Sequence, residues 1–191
     1  MTQADAEHFE ARFRADPDPW DVRTSPYERE KYDRTLDACG PGPFARALEL
    51  GAGTGVLSTR LADRCAALCT VDFAATAVEL ARERLAGREH VTVLEGTVPD
   101  DLPRDGAFDL VVASEILYYL PDEAFRRTLD LLPRLMRPGA RLVAVHWAGQ
   151  APDLQRSAEA THRALASGLR RVALPAPSGT RGYLLDAFDV R

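Results

Sequence analysis

Glycines at alternate positions, Gly51, Gly53 and Gly55, separate a pair of apolar runs in "LELGAGTGVL" (48–57), and an acid, Glu49, precedes the first of them. Glycine tolerates left-handed backbone and close contact. A glycine loop that follows a strand and opens a helix can therefore lay bare backbone against a bound nucleoside. Asp72 ends the next apolar run, at the separation of about 20 residues where an acid can accept both hydrogen bonds of a ribose diol. Glycine-rich turns also serve purely structural ends, so the surrounding residues have to decide.

Two ligand classes compete for such a loop. The dinucleotide fingerprint runs GxGxxG, and the place its last glycine needs is held by Val56. A pyrophosphate favours an uncluttered helix start, whereas Glu49 puts a carboxylate beside the loop, suited to an ammonium group. S-adenosylmethionine presents an ammonium for that acid, a carboxylate for the helix N-terminus, a ribose for Asp72 and a sulfonium that tolerates acids and aromatic rings. It is the cofactor these residues point to. A nicotinamide dinucleotide, and with it an oxidoreductase, is the competing reading that Val56 and Glu49 disfavour.

The elements that would position these residues alternate. Apolar β-type runs recur at 45–50, 67–72, 91–96, 108–114 and 141–147, and helix-length amphipathic stretches separate most of them. Strands apolar at nearly consecutive positions need cover on both faces. The pattern predicts an α/β fold: a doubly wound, mostly parallel seven-stranded sheet with helices on both faces. In "AATAVELARERLAG" (74–87), Ala77, Val78, Ala81 and Leu85 share a helix face, and Gly87 stands as the C-terminal cap. In 121–139, Asp122 is read as N-cap, Phe125, Leu129, Leu132 and Met136 as the buried stripe, Pro133 as a bend and "RPG" as the stop. One domain is expected: an N-terminal helical lid or substrate segment (1–44), a cofactor-binding core (45–147) and a C-terminal region (148–191). The first holds helices near 4–14 and 26–38. The last holds a helix near 153–166 and an antiparallel edge hairpin, "LRRVAL" and "GYLLDAFDV" about a Pro, Ser and Gly turn.

Composition narrows the partners. The 191 residues are 46% hydrophobic and carry a net charge of -5 without any long basic run, which argues against nucleic acid or a membrane surface and for a small molecule. The polar, acidic start does not read as a secretory signal, and no stretch approaches the roughly 18 apolar residues of a membrane span. A cytoplasmic protein, monomer or weak homodimer, is expected. Cys39, Cys65 and Cys69 lack CxxC spacing or nearby histidines, so neither disulfides nor a metal site is expected.

In order and at the usual separations, "ELGAGTG" (49–55), "VDFA" (71–74) and "FDLVVASEILYYL" (108–120) resemble the class I, Rossmann-like methyltransferases that use S-adenosylmethionine. More narrowly, "DPWDVRTSPYEREKYDRTL" (18–36), "SEILYYL" (114–120) and "VHW" (145–147) resemble the nodulation protein S family, methyltransferases acting on the amine of a deacetylated chitooligosaccharide and related natural-product precursors. The resemblance implies methyl transfer to an amino sugar or sugar-like amine. It puts Glu49, Gly51, Ala52, Gly53 and Gly55 around the methionine moiety, Asp72 on the ribose and Phe73 on the adenine. The acid that often reads the adenine amino group after the third strand is replaced by Gly96 and Thr97, with Val98 beside them. Thr97 or a backbone carbonyl is the substitute expected.

Ligands of open α/β sheets lie beyond the carboxyl ends of the strands. Ser114 ends the fourth strand, so Glu115, Tyr118 and Tyr119 should face that crevice, with His146 and Trp147 on the same side after the fifth. One of the adjacent tyrosines is expected in the core. Trp20, Tyr27 and Tyr32 complete the acceptor pocket, Lys31 sharing the helical spacing of the two tyrosines, while Glu28, Arg29 and Glu30 are read as solvated. Holding acceptor lone pair, methyl carbon and sulfur in line can supply on the order of 7–11 kcal/mol. An amine acceptor must arrive uncharged, so Glu115 or His146 is the proton acceptor. Each is weighed against a structural role, a helix-start charge for Glu115 and a hydrogen-bonded core ring for His146. Hydroxyl methylation and a non-catalytic cofactor-binding protein stand as alternatives.

Overall fold

All four residues of strand β1, Ala47–Leu50, are buried, and so are all seven of β4, Phe108–Ser114. Such strands need helices on both faces. The computed structural model, which describes residues 3–174 and 182–190, supplies them. The other strands are β2 (Leu68–Asp72), β3 (Val91–Glu95), β5 (Met136–Trp147), β6 (Arg170–Val172) and β7 (Tyr183–Asp189). They lie in the order β3-β2-β1-β4-β5-β7-β6, parallel from β3 to β5, with β7 antiparallel to both β5 and β6. Strand order reverses between β1 and β4, and there a crevice opens beyond the strand ends. The sheet and its antiparallel edge pair are as the sequence predicts; the Pro, Ser and Gly turn expected at 175–179 lies outside the described residues.

The helices are α1 (Gln3–Ala15), α2 (Pro26–Cys39), α3 (Val56–Ala62), α4 (Ala75–Arg84), α5 (Asp122–Leu135) and α6 (Ala158–Gly168). Strand residues sort to two faces with period two. Leu48, Leu50, Val111, Ala113, Leu142 and Ala144 share a core with Phe125, Leu132 and Leu135 of α5. Ala47, Leu110, Val112 and Val143 share another with Leu57 and Leu61 of α3 and Leu36 of α2. Burying a leucine stabilises by roughly 1.5–3 kcal/mol. Leu48 and Leu50, both at 0% exposure, therefore anchor β1, and the glycine loop leaving it, despite the strand's shortness.

Three boundaries differ from expectation. Asp122 is the first residue of α5, behind a Pro121 N-cap; its carboxylate instead takes the Arg156 guanidinium at 2.8 Å. Pro133 is accommodated inside α5 near its end, and the helix stops at Leu135, just ahead of "RPG"; Met136, expected on the helix stripe, instead begins β5, which starts before the expected 141 and takes in "RPG" as an exposed stretch. α6 begins at Ala158, later than 153, because Ser157 caps it: the serine hydroxyl accepts from the Ala160 amide at 3.2 Å.

Candidate functional site

Gly51, Gly53 and Gly55 leave β1 at φ of 73°, 50° and 77°, but their tasks differ. At Gly51 a Cβ would lie 2.9 Å from Ile116 Cβ, so the loops following β1 and β4 press together at the switch in strand order. At Gly55 it would lie 3.1 Å from Ala81 Cβ. Gly55 caps α3 against α4 and is absent from the cleft wall, a correction to its placing around a methionine moiety. The Gly53 and Ala74 amides donate to Asp72 Oδ2 and Oδ1 at 2.7 and 3.0 Å. Asp72 thus braces the loop while each of its oxygens keeps a lone pair for a diol. Its burial raises its pKa against the lowering effect of those amides.

Glu49 lies on the α3 side of β1, buried, and the Ser58 and Thr70 hydroxyls donate to its Oε2 at 2.5 and 2.8 Å. Both bonds fall on one oxygen, so Oε1 is the atom available to a ligand. Burial pushes the Glu49 carboxyl up to about 7, against the two hydroxyls. A cation beside it would favour the ionised form.

These groups open into a cleft of about 660 Å³ that also takes in Ala52, Phe73, Gly96, Val98 and Ser114. Thr97 is not on its wall. The Thr97 amide and hydroxyl both donate to Asp101 at 2.9 Å, and Gly96 and Val98 hold that stretch of the wall. The N-terminal segment covers the cleft. Ala74, the N-cap of α4, has no side chain that could cap. Glu10 of α1 serves in its place, accepting from the Thr76 amide at 3.1 Å and hydroxyl at 2.6 Å. Latched in this way, α1 sets Phe9 edge-on to Phe73 and Tyr119, at 5.8 and 4.9 Å, and Phe13 against Trp20 at 5.5 Å. Trp20 both staples the segment and lines the cleft. Phe9 and Phe13 escaped the sequence reading, although their i,i+4 spacing was the signal for one helix face.

At the far end stands Glu115, held at φ 56°. Its Oε1 accepts from Lys31 Nζ at 2.7 Å, and its Oε2 from the Trp147 amide at 2.8 Å and from the Tyr118 hydroxyl. Lys31 is buried and donates to Glu28 at 2.9 Å as well. Burial acts to lower the Lys31 pKa, but the Glu115 and Glu28 carboxylates together raise it above its ordinary value. Glu28, read as solvated, is buried as the second acid of this group; its i,i+3 spacing to Lys31 was the missed signal. Tyr118 and Tyr119 sit in a 3-10 turn, Leu117–Tyr119, and part there as expected: Tyr118 is the core member of the pair, at 2% exposure with only its cleft-side edge on the wall, while Tyr119 borders the cleft half-buried. Tyr27, Tyr32 and Trp147 line it too.

His146 does not. It is fully buried, its Nε2 accepts from the Leu117 amide at 3.2 Å, and its ring stacks edge-on to Tyr118 at 4.8 Å. Burial, with His162 and Lys31 nearby, keeps its pKa well below the ordinary imidazole value. A ring sealed behind the wall cannot take a proton from a ligand in the cleft. Among the described residues no cluster of His, Cys, Asp and Glu suits a metal ion, and no helix is long and apolar enough to cross a membrane.

The family model for nodulation protein S matches residues 2–148. The nodulation protein S of Rhizobium tropici is 34% identical over 128 residues, covering 66% of this chain and 53% of that protein. That of Sinorhizobium fredii is 30% identical over 145 residues, 75% of this chain and 67% of the relative. The matches thus span between about half and two thirds of these relatives. Among solved structures, the N-methyltransferase NodS from Bradyrhizobium japonicum WM9 in complex with S-adenosyl-L-homocysteine is similar over 97% of this chain and 98% of that one, with a TM-score of 0.86 at 26% identity.

Proposed function

The chain belongs to the nodulation protein S family, and we propose that it moves the methyl group of S-adenosylmethionine to the amine of a small acceptor, an amino sugar or sugar-like intermediate. The observation that carries this reading is the continuity of the cleft: one cavity joins the Glu49–Asp72 end to the acidic, aromatic end at Glu115. The Bradyrhizobium relative is an N-methyltransferase crystallised with the demethylated cofactor, which supports the same assignment.

Bound there, S-adenosylmethionine supplies a methyl group on a sulfonium, with a thioether as leaving group. Glu49 Oε1 would meet the ammonium and Asp72 the ribose, while Phe73, Gly96 and Val98 would surround the base. Trp20, Tyr27, Tyr32, Tyr119 and Trp147 are the aromatic walls against which a sugar ring packs. Glu115 attracts a protonated amine and, through the Oε1 lone pair left beyond its Lys31 contact, takes the proton that frees the nitrogen to attack. Lys31, Tyr118 and the Trp147 amide fix that carboxylate in place.

Mass spectrometry of deacetylated and fully acetylated chitooligosaccharides, each incubated with the protein and S-adenosylmethionine, tests this. Methylation of the free-amine oligomer alone is expected. Methyl gain only on hydroxylated acceptors without an amine would overturn the amine assignment.

A further inference from the structure

Behind the acceptor wall runs a chain of hydrogen bonds that the proposed reaction does not use. The Leu117 amide reaches His146 Nε2 at 3.2 Å, His146 Nδ1 lies 3.0 Å from His162 Nε2, and His162 Nδ1 lies 2.7 Å from Asp186 Oδ2. Asp186 also pairs with Arg171 at 3.1 Å. Proton count fixes the direction. The Leu117 N–H can only donate, so His146 Nε2 carries a lone pair and the single proton of the neutral ring sits on Nδ1. That proton points at His162 Nε2, which must accept, leaving the His162 proton on Nδ1 for the Asp186 carboxylate. With both rings neutral, one tautomer assignment satisfies all three contacts.

We propose that His162 is a pH-gated positioning residue for the acceptor end of the cleft, acting through His146 on the turn that carries Tyr118 and Tyr119. A second proton on His162 would occupy Nε2 and face the Nδ1–H of His146. To accept it, His146 must shift its own proton to Nε2, where it confronts the Leu117 N–H, donor against donor. The turn then loses the bond at its first residue, and with it the placement of Tyr118, whose hydroxyl holds Glu115. Protons reach His162 from a shallow surface pocket that His162 and Asp186 share with Glu159, Arg163 and Arg171. These are the charged groups facing it from α6, β6 and β7; His146 faces it from β5, with Lys31 of α2 beyond. The relay stands on geometry alone, and only its catalytic consequence rests on the acceptor reading above.

Histidine-side-chain and amide ¹H–¹⁵N spectra of the full chain, recorded across acid to mildly alkaline pH, test it. At the alkaline end both rings are expected as Nδ1–H tautomers. On acidification the Leu117 amide should move with the same midpoint as His162. H162Q, which cannot titrate, should abolish that movement in a folded spectrum, and Asp186→Asn, which removes the paired charge, should displace the His162 and Leu117 transitions together. A Leu117 amide that ignores His162, or that titrates unchanged in H162Q, overturns the relay. In the oligosaccharide assay with both substrates saturating, an acid limb in kcat that disappears in H162Q with KM for S-adenosylmethionine unchanged is the expected result; an identical limb in both proteins would overturn the positioning role. The spectra decide the relay even if the acceptor assignment fails.

Discussion

Burial holds the Glu49 carboxyl at about 7, and an ammonium bound at Oε1 draws it down, so cofactor binding and proton release are linked. The sign follows from the direction of the shift. A carboxyl raised in the folded state stabilises the free protein below its ordinary value and loses that contribution as pH rises through about 7. Ligand affinity runs the other way, because the bound form needs the carboxylate. Affinity for S-adenosylhomocysteine should therefore rise about tenfold between roughly pH 6 and pH 8 and level off above, which calorimetry at a series of pH values would show. Glu49→Gln should bind more weakly and lose this slope; an unchanged slope would remove Glu49 from the ammonium site. Tyr118 is a second residue with a separable effect. Tyr118→Phe removes one of the three donors on Glu115, and a hydrogen bond to a charged group contributes roughly 1.5–3 kcal/mol. Turnover should fall at least tenfold while the dissociation constant for S-adenosylhomocysteine stays within a factor of about two.

Elements meet at two points where a small change should be read as stability rather than chemistry. Gly55 needs a left-handed φ of 77° and lies against Ala81. Gly55→Ala should cost roughly 1–2 kcal/mol for the backbone alone, plus the clash with α4. Compared with Ala81→Gly alone, which itself costs roughly 1 kcal/mol inside a helix, the double variant should lose less to Gly55→Ala than the parent does, but only in part, because the Ala81 Cα at 3.2 Å remains; urea melts of the four proteins would resolve this. Glu10 joins α1 to α4 by capping Thr76. Glu10→Ala should cost roughly 1 kcal/mol, as lost caps do, and should raise hydrogen exchange in α1 before it touches the sheet. Much of this architecture was legible in the sequence, because strands covered on both faces must be apolar at consecutive positions and Pro26 marks the start of α2; the Ser157 cap that sets the start of α6 went unread. The α4 cap was not. It comes from an acid 66 residues away, and nothing local at Ala74 reveals it. His146 was misplaced for a related reason: position after an apolar run puts a residue near a strand end but does not say which face it takes, and the answer lay with His162 and Asp186, distant in the chain.

Taken as a whole, the molecule carries a net charge of -5, and the fold concentrates it. Seven acids, from Asp18 and Asp21 in the cover to Asp153 at the rim, border the cleft against Arg12 and Lys31. Composition disclosed the sum but not this gathering, which depends on α1 and α2 folding back over the strand ends. A cleft in which one sign of charge predominates focuses its field on the ligand. The two cofactor forms offer a clean probe of that field, since S-adenosylmethionine and S-adenosylhomocysteine differ by one methyl group and one positive charge and bind the same backbone loop. Raising ionic strength from about 0.01 M to about 0.3 M shortens the screening length from roughly 30 Å to well under 10 Å. Contacts made at hydrogen-bond distance are scarcely affected, whereas attraction from acids across the cleft is lost. Affinity for S-adenosylmethionine should therefore fall about threefold more than affinity for S-adenosylhomocysteine over that range, measured by parallel titrations at constant pH. Equal salt dependence for the two would show that the sulfonium is held by local contacts alone, and that the gathered acids act on the acceptor and not on the methyl donor.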